Sequence, residues 1–268
     1  MDISLTLIGA GKMGGAMLQG WLKLGLEAGR TQVIDPHPSA EMTAFCAAQG
    51  CALNPAQPVP TDVIVLAIKP QMFDAAGNTL NSLIPPSGVV ISVMAGKTIA
   101  NMQARLPGAV NLIRAMPNTP AAVGRGITGV YATPAVSEAQ RALATRLLGA
   151  VGRVEWLESE AQIDMVTALS GSGPAYVFYL AECMARAGEA MGLPAALAAR
   201  LARATVEGAG ELMFQDQATT PSQLRINVTS PAGTTAAALA VLMAENGLAP
   251  LMQAAIAAAK HRAEELAG

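Results

Sequence analysis

Three glycines stand close together at the amino end of the chain, between an apolar run and a helix-like pattern. The run covers residues 3–8, and Gly9-Ala10-Gly11-Lys12-Met13-Gly14 follow it directly. Glycines between a strand and a helix let the backbone turn sharply and come close to a pyrophosphate, which the free N–H groups of the helix start then bind. The pattern predicts a dinucleotide site. The alternative is an ordinary turn in which three glycines coincide by chance.

An acidic residue ends the next strand-like segment, residues 31–35. Asp35 is followed by Pro36-His37-Pro38. A carboxylate about twenty residues beyond such a glycine turn commonly accepts hydrogen bonds from the adenosine ribose hydroxyls. The sequence has no Lys or Arg between Arg30 and Lys69, so this segment offers no cation to a 2'-phosphate and favours NADH over NADPH. The alternative is that Asp35 only starts a turn.

Two further apolar runs, residues 63–68 and 88–93, predict strands that are buried on both faces of a parallel sheet. The first run leads into Ala67-Ile68-Lys69-Pro70, and Ala95 follows the second. Ligands of open α/β sheets bind outside the carboxyl ends of the strands, so Lys69 is a candidate contact for phosphate or nicotinamide. The small Ala95 leaves room for a cofactor. A solvated lysine at a loop start is the alternative for Lys69.

Strand and helix patterns alternate to about residue 157, which is typical of a doubly wound α/β sheet. We therefore predict a Rossmann-type dinucleotide-binding domain over residues 1–157. From Glu158 onward the segments are alanine-rich and have helical periodicity. This predicts an all-helical substrate-binding and dimerisation domain over residues 158–268. Its helices carry little charge on any face, so we expect several of them to pack against a second subunit.

The composition narrows the class of protein. The 268 residues are 52% hydrophobic and carry a formal net charge of -2 without any basic tract, so nucleic acid and anionic membranes are not expected partners. No apolar stretch is long enough to span a bilayer and no signal peptide is recognisable, which favours the cytoplasm. Cys46, Cys51 and Cys183 are odd in number and lack metal-ligand spacing, so we expect buried, reduced thiols and no metal site, with a disulfide or a catalytic cysteine as the alternatives.

The distribution of proton donors bears on the reaction. The only histidines are His37 and His261, and no lysine lies between Lys97 and Lys260. A pocket built with the second half therefore has no obvious Lys or His to protonate a carbonyl oxygen. Reduction of an iminium carbon avoids that demand, because the product is a neutral amine. Alternatively, a chain of waters or one of three tyrosines could protonate a carbonyl oxygen; the tyrosines are Tyr131, Tyr176 and Tyr179.

Two stretches of small and hydroxylic residues, 170–174 and 227–235, stand at predicted helix starts. Free N–H groups and hydroxyls there bind an anion, such as a substrate carboxylate, without an arginine. The alternative is that these Ser, Thr and Gly residues are helix caps only.

Five segments of the chain, in their order and spacing, resemble pyrroline-5-carboxylate reductases: LIGAGKMG, VLAIKPQ, RAMPNTP, ALSGSGPAYVF and NVTSPAGTTAAAL. The resemblance covers essentially the whole chain. It implies NAD(P)H-dependent reduction of the cyclic imine 1-pyrroline-5-carboxylate to L-proline, the last step of proline biosynthesis. It also implies a dimer interlocked through the helical half and often assembled into a decamer. The alternatives are a hydroxyacid dehydrogenase of related architecture and a non-catalytic NAD(P)-binding protein.

The resemblance also assigns roles to single residues. Thr235 would bond the ring nitrogen, and Glu160 would lie near that nitrogen, where a carboxylate favours the iminium form; these two are the catalytic candidates. The substrate loop would comprise Ser230, Gly233, Thr234 and Thr235. The cofactor positions would be Gly9, Ala10, Gly11, Lys12, Met13, Gly14, Asp35, Pro36, His37, Pro38, Asn54, Ala67, Ile68, Lys69, Pro70, Ala95 and Asn227.

The sequence departs from the family pattern at Ala232, where the substrate loop often has a second glycine, and at Met243, where a polar residue is usual. The family that the sequence resembles often prefers NADPH, whereas Asp35 and the lack of a Lys or Arg in the segment that follows it favour NADH. Both nucleotides therefore stand as expected cofactors.

Overall fold

A computed structural model describes residues 2–85 and 87–267 of the chain, with the side chains of 74–79 excepted. The chain divides into two compact units. The first contains the residues up to Gly171 together with those from Lys260 onward, and the second is Ser172–Ala259.

The first unit is built on one eight-stranded sheet. Its strands lie in the order β3-β2-β1-β4-β5-β6-β7-β8, and every neighbouring pair is parallel except β6 and β7. The strands are β1 (Leu5–Ile8), β2 (Thr31–Ile34), β3 (Ala52–Leu53), β4 (Val63–Leu66), β5 (Val89–Ser92), β6 (Asn111–Met116), β7 (Gly126–Ala132) and β8 (Gly152–Trp156). The order reverses between β1 and β4, and ligands of open α/β sheets bind at such a switch point.

Helices cover the sheet and form the second unit. They are α1 (Lys12–Lys23), α2 (Ala40–Gln49), α3 (Pro70–Asn81), α4 (Ile99–Arg105), α5 (Glu138–Gly149), α6 (Gln162–Val166), α7 (Gly173–Ala190), α8 (Ala195–Gln215), α9 (Pro221–Asn227), α10 (Thr234–Leu242) and α11 (Leu248–Ala267). Local sequence explains several starts: the Ser39 side chain caps α2, and Thr98 and Ser137 form capping boxes on α4 and α5.

The sheet separates two hydrophobic clusters, because successive strand side chains point to opposite faces. Leu5 and Leu7 of β1 pack with Trp21 of α1 on one face. Ile64 and Leu66 of β4 pack in the cluster on the other face. Trp21 is fully buried, and its indole N–H donates to the Leu147 carbonyl of α5 at 2.8 Å, which satisfies the polar atom of a core side chain.

The second unit consists of helices α7 to α10 and the first part of α11. Gly188 and Ala198 bring α7 and α8 close together, since a Cβ added to Gly188 would lie 3.2 Å from the Ala198 Cβ. Many large apolar side chains of these helices are exposed, among them Phe178 at 69% and Val241 at 71%. Exposed apolar area of this extent marks an interaction surface. Within the described ranges, every helix is too short or too polar to span a lipid bilayer.

The predicted fold class is confirmed: a doubly wound, Rossmann-type sheet precedes a helical region. Two features of the sheet were not predicted, the two-residue strand β3 and the antiparallel direction of β7. The link from β6 to β7, residues 117–125, is shorter than the crossover of about a dozen residues that a parallel return needs. The domain boundary between residues 157 and 158 stays a prediction.

Candidate active site

The glycine turn lies where β1 meets α1. Gly9 has a φ of +87°, which favours glycine, and its N–H donates to the Ile34 carbonyl of β2 at 2.8 Å. A Cβ on Gly14 would lie 2.1 Å from the Gly9 carbonyl oxygen. Gly11 is the N-cap residue of the helix and makes no side-chain cap, and a Cβ added to it would have no neighbour within 4 Å. The turn therefore leaves backbone N–H groups free for an anion.

Asp35 ties the end of β2 to that turn. Its Oδ2 accepts the Ala10 N–H at 2.7 Å, and its Oδ1 accepts the His37 N–H at 2.9 Å. Asn54 bonds both backbone groups of Asp35: its Oδ1 accepts the Asp35 N–H at 2.9 Å, and its Nδ2 donates to the Asp35 carbonyl at 2.7 Å. The structure thus brings Asp35 and Asn54 together beside the glycine turn. The carboxylate's bond to Ala10 was not expected from the sequence.

The carboxyl end of β4 lies beside the same turn. The Ala67 N–H donates to the Ile8 carbonyl at 2.8 Å, and a Cβ on Gly9 would lie 2.8 Å from the Ala67 oxygen. Lys69 is exposed at the start of α3, and Pro70 is the first residue of that helix. Ala95 is exposed beyond β5. These positions all lie at the carboxyl ends of the parallel strands β4 and β5, where ligands of open α/β sheets bind.

The remaining predicted cofactor residues differ in exposure and location. In the first unit Met13, Pro38 and Ile68 are half-buried, and Lys12, Pro36 and His37 are exposed. Asn227 belongs to the second unit, at the end of α9, where its Oδ1 accepts from Gln223 Nε2 at 2.8 Å. Its role at the cofactor stays a prediction.

Glu160 lies in the first unit, just before α6, and is bound on one oxygen. Its Oε1 accepts the Ile99 N–H at 2.7 Å and a hydrogen bond from Arg114 Nη1 at 2.9 Å. Arg114 is buried in β6, and its Nη2 lies 3.4 Å from Asp164 Oδ1. Reasoning from the sequence missed Arg114 and Asp164. The one available signal was a lone arginine inside an otherwise apolar strand pattern.

The predicted substrate loop leads into α10 in the second unit, and Thr234 and Thr235 are the first two residues of that helix. The Gly233 N–H donates to the Ser230 carbonyl at 3.1 Å, and a Cβ on Gly233 would lie 2.4 Å from Ser230 Oγ. Gly233 begins the helix without a side-chain cap, so N–H groups of its first turn are free to bind an anion. Ser230 and Thr234 are exposed, and Thr235 is half-buried.

Ala232 within this loop has a φ of +57°. Only glycine adopts that region without a steric cost of about 1 kcal/mol or more. The loop therefore keeps, with an alanine, a backbone conformation that suits the glycine often found there in the family pattern.

The other hydroxylic stretch, residues 170–174, begins inside a π-helical turn, Thr167–Gly171. Asn118, from the turn after β6, donates through Nδ2 to the Ser170 carbonyl at 3.1 Å, while its Oδ1 accepts the Ile127 N–H at 3.0 Å. Asn118 is almost fully buried. It fixes the carbonyl end of the π turn immediately before α7, which is a positioning task that the sequence pattern did not reveal.

Cys46 and Cys51 of the first unit are buried, as predicted, whereas the prediction was wrong for Cys183, which is exposed on α7. Burial raises the pKa of Cys46, and it raises that of Cys51 to about 11, with Cys46 nearby adding to the effect. At neutral pH both are thiols, and the thiolate is the reactive form. In the part of the chain that the structure describes, no group of three or more His, Cys, Asp or Glu side chains is arranged for a metal ion.

Comparisons with known proteins agree along the chain. Residues 160–266 match the family model described as pyrroline-5-carboxylate reductase dimerisation, and residues 4–96 match NADP oxidoreductase coenzyme F420-dependent. A pyrroline-5-carboxylate reductase of Pseudomonas aeruginosa is 39% identical over 265 residues, 98% of this chain and 96% of that protein. One from Coxiella burnetii has a similar structure, with a TM-score of 0.91, 35% identity and full coverage of both chains. The Plasmodium falciparum pyrroline carboxylate reductase, solved with NADP bound, gives a TM-score of 0.77 at 26% identity, over 100% of this chain and 99% of that one.

Proposed function

The chain belongs to the pyrroline-5-carboxylate reductase family, and on that premise we propose how its residues carry out the reduction of 1-pyrroline-5-carboxylate to L-proline. It is an oxidoreductase of proline biosynthesis that uses NAD(P)H. A hydroxyacid dehydrogenase and a non-catalytic nucleotide-binding protein are both disfavoured by the relation to reductases over nearly the whole chain.

The observation that carries the residue assignment is the uncapped start of α10 beside hydroxyl groups. The free N–H groups that follow Gly233, together with the Ser230 and Thr234 hydroxyls, bind the substrate carboxylate. The helix dipole adds to this attraction. No arginine is needed, because backbone donors and hydroxyls satisfy both carboxylate oxygens.

Thr235 orients the ring, since its hydroxyl bonds the ring nitrogen. Glu160 supplies negative charge near that nitrogen, and an opposite charge favours the protonated iminium form of the imine. The iminium carbon is the better hydride acceptor. These residues therefore accelerate the reaction by orientation and by electrostatic stabilisation, without a covalent step.

The nucleotide is held by the carboxyl edge of the sheet. The free N–H groups after Gly11 bind the pyrophosphate, and Asp35 lies at the ribose end. Lys69 and Ala95 lie on the nicotinamide side. When bound, the reduced nicotinamide supplies the hydride. The φ of +87° at Gly9 and the close approach at Gly14 support this assignment, because larger residues would fill the turn.

Replacing Thr235 with Ala tests this reading. We expect kcat for 1-pyrroline-5-carboxylate to fall on the order of a hundredfold, the usual cost of losing one positioned hydrogen-bonding group, while the Kd for NADPH stays the same. The measurement is NADPH oxidation under steady-state conditions, with nucleotide affinity from fluorescence titration.

The matched control is Thr205→Ala in α8, where the exposed threonine hydroxyl donates to the Leu201 carbonyl of its own helix. It should leave kcat within about twofold, as for most surface substitutions. A Thr235→Ala enzyme with unchanged kcat would remove Thr235 from the mechanism.

The chain self-associates, as its matched dimerisation region implies. We propose dimers that assemble into a decamer, with residues 158–268 as the domain that binds the substrate and forms the dimer. The exposed apolar side chains of α7 and α10 support such an interface. We also propose a cytoplasmic location, which the free thiols of all three cysteines support.

A further inference from the structure

Arg114 is a buried charge inside the first unit. Its side chain is 3% exposed, and it lies on β6 between two carboxylates. Nη1 bonds Glu160 Oε1 at 2.9 Å and Nη2 lies 3.4 Å from Asp164 Oδ1, whereas the buried Nε has no hydrogen-bond partner among the described residues.

This arrangement is not what stability alone would favour. Burying an ion pair costs desolvation free energy that the mutual attraction often fails to offset, and an unpaired buried N–H adds a further cost. Apolar side chains of similar volume would fill the same position of β6, as they do elsewhere in that strand at Leu112 and Ile113. The guanidinium therefore calls for an explanation beyond packing.

The partner that Arg114 holds lies at an open pocket. Glu160 is 28% exposed and, with Gln103, Tyr131 and Thr133, lines a pocket of about 440 Å³ in the first unit. Its Oε1 accepts from both Arg114 and the Ile99 N–H, while Oε2 accepts no hydrogen bond from the residues that the structure describes. One oxygen is thus fixed by two donors, and the other is left for a ligand.

We propose that Arg114 is the positioning residue for Glu160 in imine reduction, an inference that rests on the proposed role of Glu160 near the ring nitrogen. Arg114 touches no reacting atom. The Arg114 guanidinium and the Ile99 N–H, both bonded to Oε1, fix the direction of the Glu160 carboxylate. Asp164 restrains the far side of the guanidinium, so that the fork keeps one orientation.

A double-mutant cycle between Arg114→Met and Glu160→Gln tests the proposal. Alone, Arg114→Met should lower kcat for 1-pyrroline-5-carboxylate about a hundredfold, the scale of a misplaced catalytic group, with little change in KM or in the Kd for NADPH. In the Glu160→Gln background the same substitution should change kcat less than about twofold, since its effect passes through Glu160. Equal losses of kcat in both backgrounds would overturn the proposal, because they would mean that Arg114 only supports the fold.

Two further variants keep the test decisive if Arg114→Met folds poorly. The double variant Arg114→Met with Asp164→Asn also removes the carboxylate that loses its ion-pair partner when Arg114 is replaced. It should show the same loss of kcat in a folded protein. Arg114→Lys should recover part of kcat, because an ammonium restores the charge without the fork; no difference between the Lys and Met variants would count against positioning by charge. Arg141→Met, an arginine that stacks over Trp156 in the same unit, should leave kcat unchanged.

The cycle separates this proposal from the one on which it rests. If Glu160→Gln itself keeps wild-type kcat, the role of Glu160 fails and Arg114 has nothing to position. If Glu160→Gln is impaired but Arg114→Met is not, the proposed function stands and only the inference about Arg114 is overturned.

Discussion

Asp35 combines a structural contact with a charge at the ribose end of the nucleotide site. Its carboxylate fastens the glycine turn through Ala10 and carries negative charge at the end of β2. A carboxylate repels a 2'-phosphate, so Asp35→Asn should raise kcat/KM for NADPH relative to NADH about tenfold, the ratio that corresponds to about 1.4 kcal/mol. The measurement is the ratio of the two kcat/KM values, which cancels any general loosening of the turn.

Asp62→Asn is the matched control for Asp35→Asn. Asp62 directly precedes β4, at the amino ends of the parallel strands and away from the glycine turn. Its Oδ2 accepts hydrogen bonds from the Ser4 N–H and hydroxyl, each at 2.7 Å. These bonds lower the pKa of Asp62, and the bond from the Ser4 backbone N–H has the largest effect. The nucleotide ratio of Asp62→Asn should equal that of the wild type. An unchanged ratio in Asp35→Asn would show that its charge does not select the nucleotide.

At the level of elements, the Asn118 side chain ties the turn after β6 to the π turn before α7. Asn118→Ala would leave the Ser170 carbonyl and the Ile127 N–H without their partner in a buried place. Each of the two unsatisfied groups costs about 1–3 kcal/mol, so the free energy of unfolding should fall by about 2–6 kcal/mol. Urea denaturation at one fixed protein concentration measures this, since self-association makes stability depend on concentration.

Asn111→Ala is the comparison for Asn118→Ala. Asn111 is half-buried at the start of β6, and among the described residues its side chain makes one hydrogen bond, from Nδ2 to the Gly88 carbonyl at 3.1 Å. Its loss should cost about 1 kcal/mol. Equal destabilisation by the two variants would contradict the view that Asn118 fixes the π turn.

The elements differ in how far sequence reveals them. The runs that became β1, β4 and β5 are mostly apolar because parallel strands are buried on both faces, so their places could be predicted. The short strand β3 has one exposed and one half-buried residue and no such pattern. The antiparallel direction of β7 depends on which strand it meets, which is a tertiary matter. Strand ends also moved by a residue or two, as at β4 and β5.

At the candidate site, too, features set by local sequence could be predicted and features set by tertiary contacts could not. The glycine turn and Asp35 could be found from spacing, because their chemistry depends on neighbours along the chain. The bonds from Arg114 to Glu160 and from Asn118 to Ser170 join residues far apart in sequence. Nothing in either local segment identifies the partner. The roles assigned to Ser230 and Thr235 came from family resemblance and stay predictions.

At the scale of the whole molecule, the exposed apolar side chains of the second unit give self-association a testable form. Phe178 on α7 is 69% exposed, and Val177, Tyr179 and Leu180 beside it are exposed as well. A carboxylate placed in an apolar interface has no partner and must be desolvated. Phe178→Glu should therefore convert the assembly into smaller species or monomers, as light scattering after size-exclusion chromatography would measure.

Leu24→Glu provides the control for Phe178→Glu, since Leu24 is 54% exposed in the first unit, at the end of α1 away from the glycine turn. It should leave the mass of the assembly unchanged, because a charge on a solvated surface costs little. The wild-type mass decides at the same time between a dimer and a decamer. If Phe178→Glu keeps the full wild-type mass, the α7 surface around Phe178 lies outside the contact, and the exposed side chains of α10 become the next surface to alter.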